Sequence, residues 1–353
     1  MDIKRSYYED IELFRSKTIL FWSLLFLVFL IILPWIVAKT HVLGLSVYLL
    51  NLIIIHAIVA IGLNILVGYT GQISLGHAGF FAIGAFTTVM FVGKLGIPLI
   101  LALPLGAFIS AAFGFLLGLP ALRLEGPYLA IATMGFGMAV TTIIKHTEFF
   151  GGRMGLQAPK LYLFETALKD IHFYYLIAGI AVVLAIAAIK LFKTKVGRAF
   201  IAIRDSDIAA ETMGVNLNYY KTLAFAVSAF YTGIAGGLYA FILGFINPES
   251  FHIIMSITFL AMVVVGGVGS IMGSIAGAVL MTYLDVKLQA IQDIPGLGAL
   301  LVRFSEEYMT MAGISNVAII VYGLIMILIV LFEPLGIFGL WIRTKKYWKT
   351  YPF

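Results

Sequence analysis

Ten stretches of this chain are almost devoid of charge, and most are as long as a bilayer is thick. They lie near Thr18 to Ala38, Leu45 to Val67, Ile73 to Val92, Pro98 to Gly118, Tyr128 to Ile144, Tyr174 to Leu191, Leu223 to Phe245, Ile253 to Val265, Ile271 to Leu284 and Ile314 to Phe332. A helix needs about 20 apolar residues to cross roughly 30 Å of hydrocarbon, and only helices and closed barrels satisfy their backbone there. The expected fold is therefore all-α and integral to a membrane, a polytopic bundle of eight to ten spans. The range has two sources. The short runs around Gly266-Gly-Val-Gly-Ser270 read as two spans or one bent hairpin, and the run after Gly71 reads as a span or a re-entrant segment. Composition agrees, with 62% apolar and 11% charged residues and a mean hydropathy of +1.06.

Directly behind the second run comes Gly68-Tyr-Thr-Gly-Gln-Ile-Ser-Leu-Gly-His-Ala-Gly-Phe-Phe-Ala-Ile-Gly-Ala-Phe86, a polar, glycine-dense break. Non-helical backbone at membrane depth persists only inside protein or beside water, so this segment is expected to line a path. Three regions follow: a cytoplasmic N-terminal segment (1–17), a transmembrane domain (18–341) with a cytoplasmic loop at 193–221, and a cytoplasmic tail (342–353). The first run is longer than the apolar stretch of a cleavable signal and lacks a small-residue cleavage site, so it reads as a retained span. The longest polar stretches, about thirty residues, are too short to bury a core of their own. Cysteine is absent, which excludes disulfides and thiol chemistry.

Orientation follows from Lys and Arg, which accumulate on the cytoplasmic side. With ten spans and the N-terminus inside, 15 of the 23 basic residues fall inside: Lys4, Arg5, Arg15, Lys17, Arg123, Lys190, Lys193, Lys195, Arg198, Arg204, Lys221, Arg343, Lys345, Lys346 and Lys349. Both termini are then cytoplasmic. This asymmetry against an anionic lipid surface accounts for the net charge of +6, leaving no reason to expect nucleic-acid binding.

Within the cores of the ten runs there is no Asp, Glu, Lys or Arg. Proton- and sodium-coupled carriers usually keep an ionisable residue there, so a path without one draws its energy from elsewhere or is passive. The chain has no G-x-x-x-x-G-K-[ST] nucleotide loop, so any ATPase would be a separate subunit. Three classes stand at this point: the permease of an ATP-driven importer, an ion-coupled secondary carrier, and a passive channel or scaffold. Bearing on the choice is the cytoplasmic stretch Lys195 to Asn216, where Asp205 or Ser206 can cap a helix start. Asp207 suits its positive first turn, Ala209, Ala210 and Glu211 favour helix, and Gly214 fits the left-handed residue beyond its end. Two turns are marginal alone in water, so a partner is expected to hold them, although an ordinary juxtamembrane helix reads the same way.

Four motifs now resemble a family: the break Gly68 to Ala85, Leu122-Arg-Leu-Glu-Gly-Pro-Tyr-Leu-Ala-Ile131, Gly151-Gly-Arg-Met-Gly-Leu156 and Gly197 to Gly214. They are similar to the permease subunits of branched-chain amino acid ABC importers, in the LivM-like branch. The similarity continues through Leu260 to Gly273 and Leu331-Phe-Glu-Pro-Leu-Gly336. The resemblance implies an ABC importer permease fold and a half-transporter in a prokaryotic cytoplasmic (inner) membrane. Its implied partners are a second, LivH-like permease, two cytosolic ATPase subunits and an external substrate-binding protein. ATP and magnesium would sit on the ATPases; the chain itself would bind no cofactor and catalyse no reaction. Arg204, Asp207, Ile208, Ala209, Ala210, Glu211 and Gly214 would couple to the ATPase. Ile208 stands where many importers have Glu, Met138 where relatives often have Glu, and Glu333 where Arg is frequent. Relatives with similar scaffolds carry urea, short amides, other amino acids and sugars, so these substrates stay open.

Polar residues in lipid turn inward, and Asn64, Gln72, Ser74, His77 and Thr133 are the candidates for the path. No second His, Cys or carboxylate lies near His77, which makes it a hydrogen-bonded packing residue before a metal ligand or proton relay, and isolated His56 reads alike. No metal site is expected. Gly114 and Gly118, Gly233 and Gly237, and Gly269, Gly273 and Gly277 recur at four-residue spacing, which lets helix backbones approach closely. On the outside, the loop from Lys145 to His172 and the one from Asp285 to Gly313 compete as docking surfaces for the binding protein.

Overall fold

The computed structural model describes residues 17–40, 44–124, 126–160, 162–163, 166–167, 170–289, 323–329, 331–333 and 335–350. In chain order its helices are α1 (Lys17–Thr40), α2 (Val47–Thr70), α3 (His77–Gly93), α4 (Leu99–Ala121), α5 (Pro127–His146), α6 (Asp170–Lys193), α7 (Lys195–Asp205), α8 (Asp207–Thr212), α9 (Leu217–Leu243), α10 (Ile253–Gly266), α11 (Ile271–Gln289) and α12 (Gly336–Thr350). Among the described residues, six helices are long and apolar enough to cross a membrane: α2, α4, α5, α6, α9 and most of α11. Shorter apolar helices lie at Leu24–Lys39, His77–Gly93 and Ile253–Gly266. The chain is thus an all-α, multi-pass membrane protein. The tenth apolar run and the loop Asp285 to Gly313 fall largely outside the described residues.

The core is a bundle built on α2 and α9, with α3 and α4 along α9 and α10 and α11 against α2. Nearly every residue of α2 from Leu49 to Gly68 is buried, whereas α4, α5 and α6 keep broad exposed apolar faces such as Phe108, Leu116, Ile131, Ile143 and Val183. That division suits lipid as the outer solvent, since exposed apolar side chains cost nothing there. Close packing comes from backbone approach. A Cβ at Gly118 would sit 2.9 Å from the Thr222 Cα, and one at Gly233 3.0 Å from the Ala107 Cα, so α4 and α9 meet antiparallel through small residues. Gly236 lies against the Phe81 carbonyl and Gly84 against Gly233, which brings α3 onto the same helix.

A proline in α1 shows how lipid-side backbone is satisfied. Pro34 has no N–H to offer the carbonyl four residues back, at Leu30. The Tyr174 hydroxyl on α6 donates to that carbonyl instead, at 2.8 Å, and Tyr175 donates to Ile31 O at 3.0 Å.

Two segments repeat one design. Long α2 ends on Gly71 in the left-handed conformation (φ 73°), and a stretch without helix leads to short α3; long α9 ends on Gly244 (φ 72°), and a stretch holding only a short strand and the 3-10 turn Pro248–Ser250 leads to short α10. Around the second break, β1 (Leu156–Gln157) pairs antiparallel with β4 (Phe245–Ile246), joining the loop after α5 to the end of α9. Within that loop β2 (Tyr162–Leu163) pairs with β3 (Thr166–Ala167).

The structure corrects two sequence expectations. The break is narrower than the motif: residues 68–70 complete α2 and residues from His77 belong to α3, leaving 71–76 outside helix. Gly269 is not on a helix face with Gly273 and Gly277. It lies in the turn between α10 and α11 at φ 80°, and Gly266 takes its place, packed on Gly273 and Gly277. The turn 267–270 needs positive φ at Gly267 and Gly269, which removes them from the stripe.

Replacing Gly236 with Leu is expected to cost about 1–3 kcal/mol by forcing α3 from α9. It would be read as a lower melting temperature of the detergent-purified protein, and an unchanged melt would refute the contact.

Candidate functional site

Residues 71–76 lie outside helix, and backbone N–H groups among them are paired by the end of α2, by α5 and within the break itself. Gln72 N–H donates to Leu66 O at 3.2 Å, Leu75 N–H to Thr133 Oγ1 at 2.9 Å, and Gly76 N–H to Ser74 Oγ at 3.4 Å. The first turn of α3 has no cap of its own, and Ala78 N–H donates to Ser256 Oγ on α10 at 2.8 Å. His77 is wholly buried, its Nδ1 3.1 Å from Ser74 Oγ and its Nε2 2.8 Å from Ser228 Oγ on α9. Ser228 is eleven residues into α9, roughly 16 Å along it, so this junction lies near the middle of a bilayer-spanning helix.

The five predicted path residues all sit in the interior, in three places. Ser74, His77 and Thr133 share the network just described. Asn64, also fully buried, accepts from the Gly269 N–H at 2.9 Å and so ties α2 to the α10–α11 turn. Gln72 lies apart from both. Its Oε1 is buried with no hydrogen-bond partner, and the residue lines a cavity of about 260 Å³ with Arg204, Asp207 and Lys221. A second cavity of about 230 Å³ separates the starts of α3 and α10 and is walled by Leu75, Ala78, Met138, Thr141, His252 and Ser256. Sequence reasoning missed Ser228, Ser256 and Lys221. The two serines were legible only as scattered hydroxyls in apolar runs, and Lys221 only as one basic residue among many. His56 bonds to Thr282, with Nδ1 2.8 Å from Oγ1, and stacks edge-on against Phe259. Among the described residues no group of three His, Cys, Asp or Glu could hold a metal.

At the same end of the bundle α8 is a six-residue helix whose cap is Ser206, its Oγ accepting from Ala209 N–H at 3.3 Å. Gly214 follows at φ 83°. Ala210 is buried against the bundle, while Ile208 (78% exposed) and Met213 (85% exposed) stand out from it. Asp207 forms an ion pair with Lys221 at the start of α9. Arg204 reaches further. Its Nη1 donates to Gly68 O at 3.3 Å at the end of α2, and Nε and Nη2 donate to Asp205 Oδ1 at 3.0 and 2.9 Å. One side chain thus links α7 to the helix that precedes the break.

At the opposite end, Lys145 at the close of α5 pairs with Glu249 in the second break at 2.5 Å. Lys94 donates to Phe149 O at 2.8 Å. The hydrogen bond and charge of Lys145, helped by Arg153, hold the Glu249 carboxyl below its usual 4.5. A carboxyl lowered on folding adds stability above its unfolded value and loses it as pH falls through the folded one. Glu249→Gln should therefore melt slightly below the parent protein at pH 7, with the gap closing below pH 4.5; a pH-independent gap would mean the pair does not hold the loop.

Residues 45–330 match the protein family described as branched-chain amino acid transport system, permease component. The chain is 37% identical over 287 residues to the high-affinity branched-chain amino acid transport system permease protein LivM of Escherichia coli (strain K12), covering 73% of this chain and 66% of that protein. It is 37% identical over 262 residues to the protein of the same name from Salmonella typhimurium, covering 67% and 62%. The ribose import permease protein RbsC of Haemophilus influenzae is 31% identical over 114 residues, covering 31% and 35%. The chain spans about two thirds of the length of the two LivM proteins it matches. No solved structure matches it.

Proposed function

Because the chain belongs to the branched-chain amino acid transport system permease family, we propose that it forms part of the membrane path by which an ATP-driven importer moves branched-chain amino acids inward. The observation that carries this reading is the link, through Arg204 of the adjoining α7, between an exposed two-turn helix and the end of the membrane helix that precedes the break. Arg204 of α7 holds Gly68 O, and α8, beside it, presents Ile208 and Met213 outward. On this reading both residues enter a groove on a cytosolic ATPase, which places the α7/α8 end in the cytoplasm and both termini with it, in a prokaryotic inner membrane. The ATPases bind ATP with magnesium and do the hydrolysis. A sister permease completes the path, and an external binding protein delivers the amino acid to the β1–β4 end.

Transport then follows from two arrangements of different stability. Closure of the ATPases displaces α8, Arg204 draws on the end of α2, and the residues of the break move against α5 and α10. The path, with Ser74, His77 and Thr133 near mid-depth, exposes its cavity alternately to each side, as expected where discontinuous helices meet. Few strong donors line it, which suits a zwitterion whose tight recognition occurs elsewhere. The ribose permease among the relatives makes a different small solute the second reading. Screening ligands on the cognate binding protein separates the two.

Two measurements test the proposal. In proteoliposomes holding the assembled transporter, uptake of labelled leucine should require ATP and persist when the proton gradient is collapsed; dependence on the gradient would favour an ion-coupled carrier. Gly214→Val should leave membrane insertion intact and uncouple hydrolysis from uptake, because a left-handed conformation costs a β-branched residue about 1–2 kcal/mol. Nothing lies within 4 Å of a Cβ at Gly214, so the effect is conformational, and normal uptake in this variant would count against the coupling role of α8.

A further inference from the structure

The cavity beneath the break has more chemistry than a passage needs. It holds about 260 Å³, below the usual range for drug-sized ligands and suited to one small molecule. Its polar walls come in opposite kinds. The charge is carried by Arg204, which is bonded to Asp205 and Gly68 O, and by the ion-paired Lys221 and Asp207, while Gln72 Oε1 is a buried acceptor without a hydrogen-bond partner. Leu124, Leu129 and Ile203 make the rest of the wall branched and aliphatic. A buried acceptor without a partner disfavours the empty state and favours a donor that fills it.

We propose that this cavity binds the departing zwitterionic amino acid at the cytoplasmic mouth, and that its occupancy by accumulated product slows further import. The ligand inserts into the Lys221–Asp207 pair: its carboxylate lies against Lys221 and Arg204, its ammonium against Asp207 and Gln72 Oε1, and its aliphatic side chain against Leu124, Leu129 and Ile203. The proposal rests on the reading above that the chain conducts amino acids. What makes occupancy regulatory is where the walls come from. Gln72 belongs to the break, Arg204 and Asp207 to the coupling segment, and Lys221 to the start of α9. A ligand that bridges them stabilises the arrangement in which they converge, and linkage requires that whatever moves α8 away lowers affinity for that ligand by the same factor.

The test uses the complete transporter, with permease pair, ATPases and binding protein, in proteoliposomes preloaded with L-leucine or with buffer. Preloaded L-leucine is expected to slow initial ATP-driven uptake about fivefold or more. N-acetyl-L-leucine, which lacks the ammonium, and L-leucinamide, which lacks the carboxylate, should not slow it. Gln72→Leu should raise the internal leucine needed for half-inhibition about tenfold or more relative to that variant's own uptake. In parallel, equilibrium dialysis of labelled leucine against the nucleotide-free permease–ATPase complex without binding protein should find one site. Leu129→Trp, which fills the aliphatic wall, should abolish that site in a complex that still assembles. The site is overturned if preloaded leucine leaves normal uptake unchanged or accelerates it. It is equally overturned if N-acetyl-L-leucine or inorganic phosphate inhibits as well as leucine, or if dialysis finds no binding. Loss of ATP-driven uptake in unloaded vesicles would instead remove the permease reading, and dialysis would still decide whether the cavity binds leucine.

Discussion

The constraint on which this structure depends is that six residues of unwound backbone run from the Arg204 end of α2 into the interior of the bundle, where lipid offers no hydrogen bonds. Each unpaired group there would cost several kcal/mol, so the break and the helix ends that flank it depend on partners from other elements. Thr133 comes from α5, Ser256 from α10, Ser228 from α9 and Arg204 from α7, and all converge on residues 68 to 78. The break is therefore the point through which most of the bundle is connected. Shifting any one of these elements changes which backbone groups are paired, and that is a discrete change and not a gradual one.

Close packing makes the connection stiff. Helices in lipid gain little from burying apolar surface against one another, so contact depends on van der Waals fit and short approach. Glycines on α3, α4 and α9 give that approach: Gly84 meets Gly233, Gly236 meets the Phe81 carbonyl, and Gly118 meets Thr222. Aromatic rings fill the remaining space around the second break, with Phe81, Phe86, Tyr239, Phe251 and Phe259 in mutual contact. Movement at one end of α9 is thus carried along a rod without soft layers.

How much was legible in the sequence depended on whether the signal was local. The helical spans that fall on described residues, the Ser206 cap, Gly214 after α8 and the polar break are local patterns, and each has a counterpart in the structure at or within a few residues of where it was expected. The extent of the break was misjudged because Gly68-Tyr-Thr70 and the glycines after His77 look like helix breakers, yet in lipid a helical backbone is the cheapest way to pair their amides. Partners distant in sequence were invisible. Nothing near Ser228 or Ser256 marks it as a partner of a break about 150 or 180 residues away. The role of Gly269 was misread because spacing alone cannot distinguish a helical stripe from a turn that needs positive φ.

The two breaks also differ in a way that suits two kinds of partner. At the α7/α8 end, the last turn of α2 before the break is tied to α7, which adjoins a short helix with exposed apolar residues, by a guanidinium reaching a carbonyl, a contact that transmits displacement. At the other end, the break is held by strand pairing of β1 with β4 and by the exposed Lys145–Glu249 pair, contacts that water and salt weaken readily. A strong internal lever therefore lies beside a surface fit for a mechanical partner, and a loose, solvent-sensitive clasp beside a surface fit for a transient one. On the proposed reading, the stiff end takes the force of the ATPase and the yielding end opens to the binding protein. The two breaks of one repeated design thus divide the work of driving and admitting between the two faces of the membrane.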